Sequence, residues 1–227
     1  MSTSLVIDVL DDEVVVERLG ADGVVSGRAV VPVASTGYRV DPEVWWTALV
    51  DAVDAVVGPG ALDASGIGEV VLCACPKGVV VTDGHGAPVG PALVGDDPDT
   101  APDAKWLTKQ VDGGADGWIA AVGAAPTAQW TASKLSWLHR SDADVWGRVA
   151  LVMQPQDWLV QRMTGSAATD PRTARHTGYW SADDGYRFDL LAIIDRDLDW
   201  GPKLPVVVDD GAVVGAWRGV PVRLWSE

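Results

Sequence analysis

Three aspartates sit close together near the start of the chain, Asp8, Asp11 and Asp12, within IDVLDDEVVVERLGADG (residues 7–23). A short Val/Ile run leads into Asp8, a tight acidic turn follows, and a second apolar run returns to a turn at Gly23. Carboxylates gathered by a hairpin could share a divalent cation such as Mg2+, which prefers hard oxygen ligands. Aspartate is equally at home in an exposed turn, where it bonds nearby backbone. Other reactive side chains are sparse. Cys73 and Cys75 lie two apart in VVLCACPKG, on one face of a predicted strand, and His85, His139 and His176 show no ligand spacing. A zinc site needs more thiols or imidazoles nearby, so the cysteines read as buried thiols in a reduced compartment.

Composition narrows the partners. The chain has 227 residues, 48% hydrophobic, enough for a sizeable core. Its net charge is −15, from 17 basic and 32 acidic residues spread along the chain. Binding nucleic acid or an anionic membrane requires clustered Lys and Arg, so neither is expected. No apolar run approaches the ~18 residues of a membrane span. The N-terminus MSTSLVIDVL lacks a basic region and a secretory core, and a cytoplasmic location is expected. The 12 tryptophans fall mostly at helical positions, where packing is the default role.

The elements that must position these groups follow from periodicity. Residues 4–10, 13–19 and 24–33 predict three strands. Residues 41–58 predict a helix, with Asp41 as cap, Pro42 in its first turn and an apolar stripe of Trp45, Leu49, Val53 and Val56. Residues 67–75 read as a strand inside a sheet, and 78–97 as two further strands about a Gly-rich turn. Helices are expected over 101–113, 131–140, 141–148, 155–165 and 188–198, with Thr131 and Ser141 as caps. Strand and turn return over 203–217. This order predicts an α/β domain with a mixed sheet that opens with three strands and is flanked by helices.

Six segments in order resemble the N-terminal half of the FGGY family of carbohydrate kinases, most closely its xylulokinases. They are the opening hairpin, DPEVWWTALVDAV, GVVVTDGHGAPVGPALVGDD, TASKLSWLHR, VMQPQDWLVQRMTGSAATD and LPVVVDDGAVVGA, and the likeness covers about residues 4–222. The resemblance implies a ribonuclease H-like, actin-like ATPase fold for residues 1–227 as one sugar-binding domain. It also implies a second, ATP-binding domain, with phosphoryl transfer from Mg-ATP to a sugar hydroxyl assisted by a general-base aspartate.

Four departures qualify that expectation. Where the family's hairpin carries Gly and Thr, this chain has Leu10 and Asp11. Glycine lets backbone approach phosphate. A carboxylate at ~5 Å from a like charge costs roughly 3 kcal/mol at an effective dielectric near 20. Asp8 matches an acid near the family's metal. The family's sugar-site stretch is replaced by Cys75-Pro76-Lys77-Gly78, with Pro76 and Lys77 at the matching positions and Lys77 able to meet hydroxyls or an anionic sugar. Asp97 is kept in Gly95-Asp96-Asp97-Pro98-Asp99, but the neighbouring aromatic and basic residues are not. The run after Thr169-Asp170 reads RTARHTG, unlike the family's Ser-Asp-Ala-Ser.

Beyond GVPV the chain reads RLWSE, so the general-base motif and the ATP-binding domain are expected to be absent; Glu227 is not a substitute base. The sequence is therefore read as the sugar-binding half of a xylulokinase, inactive alone and binding no cofactor alone. The alternatives are a non-catalytic sugar- or protein-binding module and one half of a split kinase. A metal-dependent hydrolase built on Asp8, Asp11 and Asp12 is remote. Loss of a partner domain exposes apolar surface, for which Trp217, Leu224 and Trp225 are the candidates, and self-association or a partner is expected there.

Overall fold

The computed structural model describes residues 3–34, 37–74 and 77–225. The chain opens with a meander, β1 (Thr3–Val9), β2 (Glu13–Leu19) and β3 (Val25–Pro32), followed by the short β4 (Arg39–Val40) and helix α1 (Glu43–Val57). Next come β5 (Ile67–Ala74), β6 (Gly78–Thr82) and β7 (Ala92–Val94). Helices α2 (Ala101–Thr108), α3 (Ala115–Val122), α4 (Thr131–Ser141) and α5 (Ala143–Trp146) lead to β8 (Leu151–Met153) and α6 (Pro155–Thr164). Short elements follow: β9 (Ala168–Thr169), α7 (Pro171–Ala174), β10 (Trp180–Ser181), β11 (Gly185–Tyr186) and α8 (Phe188–Ile194). The last strands are β12 (Val206–Val207), β13 (Val213–Trp217) and β14 (Val220–Leu224).

The strands divide between two main sheets. A six-stranded mixed sheet has the order β13-β14-β5-β1-β2-β3, with β5 parallel to both β1 and β14. Strands β6 and β7, expected as further strands after β5, belong instead to a four-stranded sheet ordered β4-β7-β6-β8. Gly78 permits the junction. A Cβ there would lie 2.1 Å from the Leu93 carbonyl oxygen, so only glycine lets β6 approach β7 so closely.

Register explains which face of the large sheet is core. Leu5, Ile7, Val14, Val16, Val70, Leu72, Val222 and Leu224 share one face and are all almost fully buried. They join one apolar cluster with Trp45, Leu49 and Val53 of α1 and Trp158 and Leu159 of α6. The other face carries Asp8, Glu17 and Val71, all half-buried, together with buried Cys73. Burying the apolar face stabilises the sheet by roughly 1.5–3 kcal/mol for each large aliphatic side chain. A second cluster packs α4 and α8 against the smaller sheet around Trp118, Leu135 and Leu191.

Some local expectations are corrected. Asp41 does bond the start of α1, accepting from Glu43 N at 3.0 Å. Thr131 does not cap α4: it is the first helical residue, and its hydroxyl donates to the Gly78 carbonyl at 2.9 Å, pinning the helix to β6. Ser141 closes α4, and Asp142 caps α5 by accepting from Val145 N at 2.9 Å. The predicted exposure of Trp217 and Leu224 is also wrong. They are 6% and 1% exposed: Trp217 stacks edge-on against Trp46 at 5.7 Å, and Leu224 faces the core in register with Leu72. Trp225 alone of the three is exposed, at 40%.

Candidate functional site

The carboxyl ends of β1, β5 and β14 lie side by side because both flanking strands run parallel to β5. Open α/β sheets hold ligands beyond such ends. Here the chain builds a cavity of about 360 Å3. Ala74 and Lys77 wall it from the end of β5, Gln154 and Gln156 from the start of α6, and Arg172, Thr173 and His176 from α7 and the turn after it.

The sequence QPQD explains how α6 begins. Pro155 fits the first helical turn, and Gln154 and Asp157 form a reciprocal capping box. The Gln154 backbone N–H donates to Asp157 Oδ2 at 3.0 Å, and the Gln154 side-chain amide donates to the Thr173 carbonyl. Gln156 is the joint of the site. Its Nε2 donates to Asp170 Oδ2 at 2.6 Å and Thr173 Oγ1 at 2.9 Å, while its Oε1 accepts from Ala74 N at 3.1 Å and from Arg172 Nη2 at 3.4 Å. One buried amide thus fixes the end of β5 relative to α7. Asp170 also caps α7, accepting from Thr173 N at 2.6 Å.

Charges in and behind the cavity are perturbed for identifiable reasons. Burial pushes the Asp157 carboxyl up to about 7; the nearby Thr169 hydroxyl and the bond from the Gln154 backbone N–H oppose the rise, and the Asp170 charge adds to it. His176 is held below the usual imidazole range, first by burial and then by the cations Lys77, Arg172 and Arg175, with Asp170 opposing. Asp8, beside the cavity, is raised by burial and by Glu17; the Cys73 thiol and Arg172 partly offset this. Arg172 Nη2 lies 3.3 Å from Cys73 Sγ and so links the Asp8 face of the sheet to the cavity.

The predicted site residues scatter around this arrangement. Lys77 lines the cavity and is exposed. Pro76, like Cys75 and Glu227, lies outside the described residues. Asp97 is not a cavity wall: it is 2% exposed, caps a short turn by accepting from Asp99 N at 2.9 Å, and faces the buried Lys134 ammonium. Its loop still touches the site, since Gly95 N donates to the Lys77 carbonyl at 3.0 Å.

Asp11 and Asp12 are exposed at the hairpin tip, closed by Leu10 N donating to the Glu13 carbonyl at 2.8 Å. Among the described residues no group of three or more His, Cys, Asp or Glu side chains is placed to share a metal ion, so Asp8, Asp11 and Asp12 do not form one. This two-residue turn has no glycine and no residue with positive φ. It holds carboxylates where a phosphate would have to approach, and the hairpin therefore does not fit Mg-ATP.

Several site residues were missed by sequence reasoning: Gln154, Gln156, Arg172, Thr173 and His176. The signals were the family-like segment VMQPQDWL, which holds Gln154 and Gln156, and the departure RTARHTG, which places Arg172 in α7 and His176 four residues on, just past its end.

The opening meander, the mixed sheet and the cavity at the strand ends define an actin-like ATPase fold in its sugar-kinase form. The solved xylulose kinase of Rhodospirillum rubrum matches with a TM-score of 0.88 over 99% of this chain and 48% of that one, at 20% identity. The solved xylulose kinase of Bifidobacterium adolescentis gives 0.85 over 98% and 52%, at 22% identity. The chain belongs to the FGGY family of carbohydrate kinases, whose N-terminal domain model matches residues 32–220. It is 36% identical over 197 residues to the xylulose kinase of Streptomyces coelicolor, covering 86% of this chain and 39% of that protein. Identity to the xylulose kinase of Streptomyces rubiginosus is 33% over 216 residues, 95% of this chain and 42% of that protein. The chain therefore spans about two-fifths of the length of these curated relatives. Among the described residues no helix is long and apolar enough to cross a membrane.

Proposed function

We propose that this chain is a sugar-binding domain of the xylulose-kinase type, that its cavity takes a small sugar or polyol, and that the chain does not phosphorylate it alone. The observation that carries this is the polar cavity at the parallel strand ends, ordered by the buried amides of Gln154 and Gln156. A volume of about 360 Å3 suits a monosaccharide-sized ligand. Similarity to the Streptomyces xylulose kinases supports a sugar in that place. The reaction of the type is ATP-dependent phosphorylation of a sugar hydroxyl. The Leu10-Asp11-Asp12 turn argues that this chain alone has lost the phosphate-holding part of it and acts as a pseudokinase module. Trp225 beside β5, its backbone N–H donating to the Leu72 carbonyl at 3.0 Å, is the remaining one of the three apolar candidates for a partner contact.

Calorimetry tests the reading. Titration with ketoses and polyols should give saturable heat, and titration with Mg-ATP should give none. Micromolar Mg-ATP binding would overturn the pseudokinase part, and silence toward every sugar would overturn the binding part.

A further inference from the structure

We propose that the cavity selects a polyhydroxylated anion, a monosaccharide-sized molecule bearing a carboxylate or phosphate, over a neutral sugar. This rests on the reading of the cavity as a sugar site. Among the described residues, every ionisable side chain on its walls is basic: Lys77, Arg172 and His176. No carboxylate among the described residues lines it, although the chain carries 32 acidic residues against 17 Lys and Arg.

Two nearby carboxylates are committed elsewhere. Asp170 is fully buried and accepts from Gln156 Nε2 and Thr173 N. Asp157 is buried and accepts from Gln154 N. Asp8 bears on Arg172 from the sheet face, outside the cavity walls. Among the described residues no carboxylate pairs with the Lys77 ammonium.

Hydrogen-bonding capacity points the same way. The Gln156 amide spends both donors and its acceptor within the protein, so it shapes the wall without reading a ligand. What faces the cavity is the exposed Lys77 ammonium and the His176 imidazole, with the Arg172 guanidinium, whose Nη2 bonds Cys73 and Gln156, adding positive charge beside them. Such a surface is best matched by a ligand with several acceptor oxygens and negative charge, for which charge-assisted bonds are the stronger kind. The groups that face His176 are Lys77, Arg172 and Arg175, with Asp170 opposing. An anion among them would favour the imidazolium.

Four probes on the full chain test this by calorimetry at low salt: D-gluconate, D-xylulose 5-phosphate, D-xylulose and inorganic phosphate. The expected result is that gluconate or the phosphate ester binds at least tenfold more tightly than D-xylulose, and the stronger of the two identifies carboxylate or phosphate as the charged group. The advantage should weaken several-fold in Lys77→Gln and in Arg172→Gln, and it should shrink with added salt. The His176 imidazole, followed by NMR, should titrate at higher pH in the saturated protein. Lys77 is exposed, so its variant keeps the test sound if Arg172→Gln fails to fold. D-xylulose binding as tight as the anions would overturn the selectivity and leave the sugar-site reading standing. Anion binding that leaves His176 unmoved or ignores Lys77→Gln would place the ligand elsewhere and overturn it. Inorganic phosphate binding as tightly as the sugar ester would overturn the polyol part. Failure of every sugar and sugar anion to bind would overturn this proposal and the sugar-site reading together.

Discussion

Gln156 reaches β5, α7 and Arg172 through a single amide that is 1% exposed. Replacing it with leucine keeps the bulk but strands the Ala74 N–H and the Asp170 carboxylate in the interior. Each unsatisfied buried group costs roughly 1–3 kcal/mol, so Gln156→Leu should lower the thermal midpoint by several degrees and abolish sugar binding. An unchanged midpoint would show that the joint is dispensable. Asp157 offers a test of sign. Its carboxyl is pushed from 3.8 up to about 7 in the folded state, so between those values the folded chain holds a proton that the unfolded chain has released. Stability from this group therefore falls as pH rises through that interval and is level above it. The Asp157→Asn variant lacks the effect. Its thermal midpoint relative to the parent should climb between about pH 4 and about pH 7 and level off above, and a constant difference would refute the shift.

At the scale of elements, the turn after α7 is held by a glycine with no alternative. Gly178 has φ +81°, and a Cβ there would lie 2.2 Å from Trp130 Cε3. Gly185 has a similar φ of +70° but open space around it. Gly185→Ala should cost only the backbone strain, roughly 1–2 kcal/mol. Gly178→Ala should cost that and a further 1–3 kcal/mol of overpacking, a difference readable by urea denaturation. Equal losses would mean that the Trp130 contact relaxes freely.

The elements also show what a sequence can reveal. The meander, α1 and β5 were legible because each is long enough for alternation or helical period to repeat. Helix α3 was not, since ADGWIAAV is bracketed by Gly113, Gly114 and Gly123 and reads as loop. The two-residue strands β9 to β12 carry no period at all. Helices predicted over 101–113 and 188–198 stop early, at Thr108 and Ile194. The site was harder still. Lys77 was legible from its place in a family stretch, whereas Gln154, Gln156, Arg172 and His176 come from segments about 80–100 residues further along and meet it only through sheet topology. The role of Asp97 as a cap beside Lys134 was not legible from its sequence neighbourhood.

For the whole molecule, the two ends of the carboxyl edge differ in charge. The hairpin tip presents Asp11 and Asp12, and the cavity presents Lys77 and Arg172. The family frame is intact, with a full apolar sheet face and both clusters packed. The departures include the turn that would meet phosphate, the segments that line the cavity and the loop around Asp97. That pattern supports the proposed reading of a kept ligand pocket beside an altered phosphate turn. The central claim is a cavity that holds a sugar and a hairpin that does not hold ATP. It is tested most directly by calorimetric titration of the full chain with a sugar panel that includes D-xylulose and D-gluconate, in parallel with Mg-ATP. The account predicts saturable binding of at least one sugar, lost in Gln156→Leu, and no heat from Mg-ATP. Tight Mg-ATP binding with no response to any sugar would contradict it.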